Sequence, residues 1–215
     1  MSKHFPHIFE PFTVKRTTFR NRVVMPPMGS NYSGEVSEEM KDYYGLRARG
    51  GTALITVESA CIDFPLATNG TKQLRIDGKQ FMPGLFELTE RIHKYGALAS
   101  IQLNHAGASA YPERLGGLQS VSSSSVPSKE GNPAPRPLTK QEILNIVQKY
   151  ADAAERAIGA GFDMVEIHGG HSYLLDQFLS PFYNKRTDEF GGSYENRARF
   201  ARLVLEAVRK EVGAQ

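Results

Sequence analysis

Val165-Glu166-Ile167-His168-Gly169-Gly170-His171-Ser172-Tyr173 is an apolar run that breaks off into two histidines, two glycines and a tyrosine. A strand of a parallel sheet reads as a short hydrophobic run, and α/β enzymes carry their chemistry at the C-terminal ends of such strands. Three proton-carrying side chains gathered at that end mark a candidate active site.

The same grammar recurs upstream. Gly50-Gly51 precedes an apolar run over residues 52–58, Gly96 one over 97–102, and Gly161 the one over 162–168. Each glycine suits the left-handed cap that ends a helix, and each run has the length of a buried strand. Val23-Val24-Met25 makes an earlier strand, stopped by Pro26-Pro27, which cannot continue ladder pairing. Between the strands lie helical patterns. Thr139 and Glu142 form a capping box for a helix over 139–159, whose Ile143, Ile146, Val147, Tyr150, Ala154 and Ile158 share one face. Ser37 caps a helix running to Arg49, Pro83 fits the first turn of one ending near Tyr95, and Ser193 caps the last, through Phe200, Val204 and Val208. Strand and helix thus alternate from residue 23 to 212, which implies a parallel sheet. The fold class read from this is α/β: about four βα units, the N-terminal part of a TIM (β/α)8 barrel, of which eight units would make the whole. Residues 1–22, with turn residues Lys15-Arg16-Thr17, are expected to hold a short β-hairpin covering the N-terminal face. Residues 23–215 hold the βα units, cut off before a fifth strand. Residues 106–138, rich in serine and proline, read as one long loop of lid type.

Composition narrows the function classes. The 215 residues are 40% hydrophobic and 23% charged, ordinary for a globular domain. The net charge of +3 is dispersed, without the basic block that nucleic acid requires, so no nucleic-acid partner is expected. Cys61 is the sole cysteine, residues 1–10 have no signal-peptide apolar region, and no window approaches the roughly 20 apolar residues that span a bilayer. A cytoplasmic location with no membrane partner is the expectation. No nucleophile elbow, P-loop or Gly-x-Gly-x-x-Gly fingerprint is present.

If the strand assignments hold, four polar clusters emerge at one rim: Pro26 to Gly29, Glu58-Ser59-Ala60, Gln102 to His105, and His168 to Tyr173. An amide, several imidazoles and a phenol beside small residues suit a flat heteroaromatic cofactor. The motifs Asn21-Arg22-Val23-Val24-Met25-Pro26-Pro27-Met28, Ile101-Gln102-Leu103-Asn104-His105-Ala106-Gly107 and Glu166-Ile167-His168 lead into a longer signature. It comprises Phe178-Leu179-Ser180-Pro181, Asn184-Lys185-Arg186-Thr187-Asp188, Gly191-Gly192-Ser193 and Glu195-Asn196-Arg197. Together these resemble the Old Yellow Enzyme family of FMN-dependent NAD(P)H:flavin oxidoreductases across nearly the whole chain. Tyr43-Tyr44, Arg47-Ala48 and Gly50-Gly51 look most like the branch of 2-enoate and 2,4-dienoyl-CoA reductases. Members of that branch commonly continue into a 4Fe-4S motif and a second, FAD-type nucleotide-binding region.

The resemblance implies the following roles. The backbone of Pro26, Pro27, Met28 and Gly29 lies beside the isoalloxazine, Ser59 under it, and Gln102 on its pyrimidine edge. His168 and His171 grip the substrate carbonyl oxygen, and Tyr173 is the proton donor. The implied reaction passes hydride from NADH or NADPH through flavin to an activated carbon–carbon double bond of an enone, enoate or dienoyl substrate. Gly29 stands where many relatives place a threonine or cysteine against the flavin, so redox tuning must come from elsewhere. An arginine of the fifth strand and a phosphate cradle from strands seven and eight would lie beyond Gln215, so this chain alone is expected to be inactive and to retain little or no FMN. Two open sheet edges would favour a homo-oligomer. Other readings remain: amine oxidation within the same family, a metal-dependent barrel hydrolase using His105, Glu166, His168 and His171, or a noncatalytic folding unit. Arg186, Asp188, Asn196 and Arg197 read as structural, Tyr32 as a loop aromatic or a substrate contact, and Cys61 as a small buried residue.

Overall fold

The computed structural model describes residues 4–213. An antiparallel hairpin of β1 (Phe12–Val14) and β2 (Thr17–Phe19) opens the chain. β3 (Val24–Met25), α1 (Glu38–Arg49), β4 (Leu54–Cys61), α2 (Met82–His93) and β5 (Leu98–Asn104) follow. A two-residue pair, β6 (Val121–Ser122) and β7 (Arg136–Pro137), precedes α3 (Lys140–Gly159), β8 (Met164–Ile167), α4 (Leu174–Leu179) and α5 (Tyr194–Val212). The strands β3, β4, β5 and β8 form one parallel sheet in that order.

Local chemistry accounts for the helix boundaries. The hydroxyls of Ser37, Thr139 and Ser193 accept from backbone N–H groups three positions further on, at the starts of α1, α3 and α5. At α3 the capping box is reciprocal, and Arg136 adds a two-pronged ion pair to Glu142 at 2.7 and 2.9 Å. Left-handed glycines stand at Gly51, Gly96 and Gly161, between each helix and the next strand.

The faces of the sheet differ. Ile55 and Val57 of β4 and Ala99, Ile101 and Leu103 of β5 are fully buried among Met40, Tyr44, Leu85, Leu88, Tyr150, Phe200 and their neighbours, the helix layer. Thr56, Ser100 and Gln102 alternate with them and face the other way. The strands are therefore alternating rather than uniformly apolar as expected from the sequence, with one face given to the helices and the other to polar groups. Arg20, just past the hairpin, donates to the carbonyls of Tyr95, Ala48 and Thr52 at 2.5, 2.9 and 2.7 Å. It thereby ties the hairpin to the ends of α1 and α2, on the side where the strands begin.

Two departures from the sequence-based expectation lie near the site. Residues 106–138 are not a single loop: they contain short 3-10 turns at Gly107–Ser109 and Pro112–Arg114 and the parallel pair β6 and β7. The pairing is closed by Gln177, whose side chain accepts from Ser122 Oγ at 2.8 Å. The short helix α4 was also unforeseen. It forms because Leu174, Leu175 and Phe178 are buried, with the Phe178 ring 4.7 Å from that of Phe200. Among the described residues no helix is long and apolar enough to cross a membrane.

Candidate active site

Where β3, β4, β5 and β8 end, their loops enclose a cavity of about 800 Å³, within the range of small-molecule sites. Pro26, Pro27, Gly29, Ser59, Gln102, His168, His171 and Tyr173 all line it. Met28 does not, and its side chain is 52% exposed. Tyr32 packs edge-on against Tyr43 instead, at 5.7 Å. Glu58, expected at the rim, and Glu166, expected only as a hydrolase ligand, also line the cavity, together with Asn69 and Gln73, which the sequence left unassigned.

A β-bulge forms one wall. Val57 is opposite Ile101 and Ala60 opposite Leu103, so Glu58 and Ser59 together face Gln102 alone. On an unbroken strand consecutive side chains point to opposite faces; the bulge lets both of these line the cavity. The Glu58 carboxylate is only 1% exposed and accepts from Ser30 N at 3.0 Å and Tyr44 Oη at 3.1 Å. It anchors the loop that follows Pro27. Burial beside that carboxylate pushes the Tyr44 phenol far above its usual range, so it stays a donor.

Gln102, 8% exposed, donates from Nε2 to Glu166 Oε1 at 2.6 Å, across the β5 and β8 pairing that sets these two residues side by side. A carboxylate only accepts, so this bond fixes the orientation of the amide and leaves Oε1 of Gln102 as an acceptor for another partner.

At the end of β8 the backbone turns sharply. His171 and Ser172 both hold left-handed φ angles, 55° and 56°, a conformation costing about 1 to 2 kcal/mol for each non-glycine residue. Three bonds hold it: Ser172 N donates to Asp176 at 2.8 Å, and Gln177 Nε2 and Ser109 Oγ donate to Ser172 O at 2.6 and 3.2 Å. The turn brings the His171 and Tyr173 rings against His168, with centroids 5.0 and 4.9 Å from it and both nearly perpendicular.

Hydrogen bonding assigns the tautomers. Gly170 N donates to His168 Nδ1 at 3.3 Å, so the ring proton sits on Nε2, which faces His171 Nδ1 at 3.2 Å. His171 then carries its own proton on Nε2. Burial first, and the neighbouring His171 second, hold His168 below the usual imidazole range, so at neutral pH it is an uncharged donor. Two N–H groups and the Tyr173 phenol thus adjoin one opening. Tyr173 Oη accepts from Asn69 Nδ2 at 2.6 Å.

His105 stands apart. It is fully buried, with Nδ1 accepting from Gly107 N at 3.1 Å, and burial lowers its pKa to about 3. Glu166 is engaged by Gln102, and among the described residues no group of three or more His, Cys, Asp or Glu could hold a metal ion. A neutral buried histidine has a stability consequence. Below the ordinary value of 6.5 the unfolded chain takes up a proton that the folded chain refuses until about 3. The contribution is therefore intact above 6.5 and is lost as pH falls toward 3, by up to about 1.4 kcal/mol per pH unit. Urea unfolding at pH 6.5 and 5 will show a steeper decline for the wild type than for His105→Asn.

Arg186 and Arg197 serve the scaffold. Arg186 forks onto Asp188 at 2.5 and 3.0 Å and donates to Leu138 O at 2.7 Å; Arg197 donates to the carbonyls of Leu179 and Gly192 at 2.9 and 2.5 Å. Cys61 is buried, its thiol pushed up to about 12 by burial.

A model of the NADH:flavin oxidoreductase / NADH oxidase family matches residues 7–215. The chain is 45% identical over 213 residues to an NADH oxidase of Thermoanaerobacter brockii, covering 98% of this chain and 33% of that protein. It is 43% identical over 206 residues to an NADPH dehydrogenase of Clostridium acetobutylicum, covering 94% and 60% respectively. Among solved structures it is similar to Old Yellow Enzyme from Pichia sp. AKU4542, with a TM-score of 0.89 and 33% identity, over 97% of this chain and 57% of that one. The chain therefore spans between 33% and 60% of the length of these proteins.

Proposed function

Because the chain belongs to the NADH:flavin oxidoreductase / NADH oxidase family, we propose that it supplies the flavin and substrate wall of an FMN-dependent reductase. The reductase uses NADH or NADPH to reduce an activated carbon–carbon double bond. The sheet of β3, β4, β5 and β8 is then the first half of an eight-stranded barrel, its polar face turned to the barrel interior. The observation that carries this reading is the convergence of the oriented Gln102 amide with two imidazole donors and a phenol on one cavity.

The residues present fit a flavin. Gln102 Oε1 is an acceptor suited to a ring N–H, and a Cβ built at Gly29 would meet nothing within 4 Å, so a flat ring can approach that backbone closely. Pro26, Pro27 and Ser59 line the same wall. FMN held by these residues would supply hydride transfer between a nicotinamide and the β-carbon of the alkene.

The chain's own groups do the rest. As hydride reaches the β-carbon, negative charge gathers on the substrate carbonyl oxygen. His171 Nε2–H is free to donate to it. His168 Nε2–H, held by a bond of 3.2 Å at the long end of the normal range, can turn from His171 to the same oxygen. Tyr173 breaks its O–H bond and forms the C–H bond at the α-carbon; the phenolate regains its proton from solvent.

None of the residues lining this cavity is a lysine or arginine. The phosphate of FMN accordingly gains no charge-assisted bond here, and the 215-residue chain is expected to bind FMN and riboflavin with dissociation constants within about threefold of each other. Fluorescence titration of both flavins measures this; a preference for FMN above about thirtyfold would mean that this chain holds the phosphate.

The reaction itself is tested on full-length protein loaded with FMN. Anaerobic reduction by NADH or NADPH should bleach the flavin, and 2-cyclohexen-1-one should restore its colour with release of the saturated ketone. Recolouring by oxygen alone, with no ketone formed, would contradict the assignment.

A further inference from the structure

We infer that Asn69 is a positioning residue for proton transfer: its amide N–H, donated to Tyr173 Oη, leaves the phenol's own proton to point into the cavity. The inference rests on reading Tyr173 as the proton donor. Asn69 lies in the loop between β4 and α2, 104 positions from Tyr173 in the chain.

A phenol oxygen has one proton to give and lone pairs to receive. The 2.6 Å bond from Asn69 Nδ2 occupies the receiving side. Among the described residues no protein acceptor is found for the Tyr173 proton, so its remaining direction is toward whatever fills the cavity that both residues line. The same bond strengthens when the phenol gives its proton away, because an N–H donor favours the charged oxygen. One amide therefore aims the proton before transfer and stabilises the phenolate afterwards.

The loop is fastened so that Asn69 can do this without wandering. Its backbone N–H donates to Gln73 Oε1 at 2.8 Å, and Gln73 Nε2 donates in turn to Ser59 O and Oγ at 3.0 and 3.2 Å. The neighbouring Ala67 and Thr68 are buried, and their carbonyls accept from Ala106 N at 3.0 Å and Tyr111 N at 2.9 Å. Asn69 is thus braced against the bulge of β4 on one side and the loop after β5 on the other. From the phenol side, His168 packs edge-on against the Tyr173 ring at 4.9 Å and backs it on the side of the imidazole pair.

The test uses full-length, FMN-loaded protein with 2-cyclohexen-1-one as probe, in wild type, Asn69→Ala, Asn69→Asp, Tyr173→Phe and the Tyr173→Phe/Asn69→Ala double variant. Asn69→Ala should slow single-turnover reduction of the probe by at least about tenfold, the worth of one charge-assisted bond. The same change made in Tyr173→Phe should alter its residual rate by no more than about twofold, since the two residues act as one unit. Asn69→Asp, whose carboxylate can only accept, should draw the phenol proton to itself and be slower than Asn69→Ala. An infrared difference spectrum of wild type against Tyr173→Phe, and of Asn69→Ala against the double variant, should show the phenol C–O stretch move to higher frequency once the accepted bond is gone. Equal slowing by Asn69→Ala in both backgrounds, or an unmoved phenol stretch, would reduce Asn69 to a structural residue and overturn the inference. If wild type fails to reduce the probe, the functional reading falls, and the phenol stretch still decides whether Asn69 holds the Tyr173 oxygen and leaves its proton free.

Discussion

Replacing His171 by alanine in the full-length, FMN-loaded protein is expected to lower kcat/KM for an enone about 100- to 1,000-fold, the loss associated with one preorganised donor to a developing oxyanion. The comparison that gives this result meaning is His171→Asn. His171 sits at a φ of 55°, where alanine is strained and asparagine is among the best-tolerated residues, and asparagine also carries an N–H donor. Most of the lost rate should therefore return with asparagine, and thermal unfolding should show His171→Ala as the less stable of the two. His168→Ala should cost as much as His171→Ala, and the pair should cost less than the product of the single effects, because the two imidazoles are bonded to each other at 3.2 Å and, in the proposed mechanism, would serve one oxygen. If both histidines can be removed with less than about a fivefold effect on kcat/KM, the oxygen is held elsewhere and the two-imidazole mechanism is wrong.

Tyr173→Phe is the second large expectation. General-acid catalysis contributes about 100- to 10,000-fold, and this phenol lines the cavity with its ring directly against His168, beside the oxygen that the imidazole pair would hold. The substitution keeps the ring that packs on His168 and deletes the oxygen bonded to Asn69, so the fold should be retained. The residual rate should rise as pH falls, since hydronium or buffer acid then replaces the missing phenol, whereas the wild-type rate should be flatter over the same range. A Tyr173→Phe enzyme as fast as wild type at neutral pH would assign the proton to solvent.

Much of this site was legible because it is built from strand ends. An apolar run followed by His168, Gly169, Gly170 and His171 marks a strand end, the signature running on to Arg197 singles out its histidines, and the helix caps Ser37, Thr139 and Ser193 fix where α1, α3 and α5 begin. The rim residues Pro26, Pro27, Gly29, Ser59, Gln102, His168, His171 and Tyr173 reach one cavity because a parallel sheet delivers all its strand ends to one side. What stayed hidden depends on contacts between residues far apart in the chain. Asn69 looks like any loop asparagine until it is set beside Tyr173, and Glu166, legible only as a motif residue or a hydrolase ligand, gains its partner when the β5 and β8 register places it beside Gln102. The bulge at Glu58 and Ser59 is a slip of one residue between neighbouring strands, for which a single strand read alone carries no mark. The helix α4 was missed for a related reason: six residues are too few for periodicity to register, and its stability comes from Phe178 packing on Phe200. Met28, whose backbone the resemblance places beside the flavin, is 52% exposed and is the one residue of Pro26 to Gly29 absent from the cavity lining.

The measurement that bears most directly on the central claim is a crystal structure of the full-length protein with FMN and an unreactive carbonyl ligand. The pyrimidine N–H of the isoalloxazine is expected about 3 Å from Gln102 Oε1, with Glu166 still accepting from the Gln102 amide, and the ligand oxygen within about 3 Å of ring nitrogens of both His168 and His171. A flavin seated away from Gln102, or a ligand oxygen that neither imidazole approaches, would contradict it.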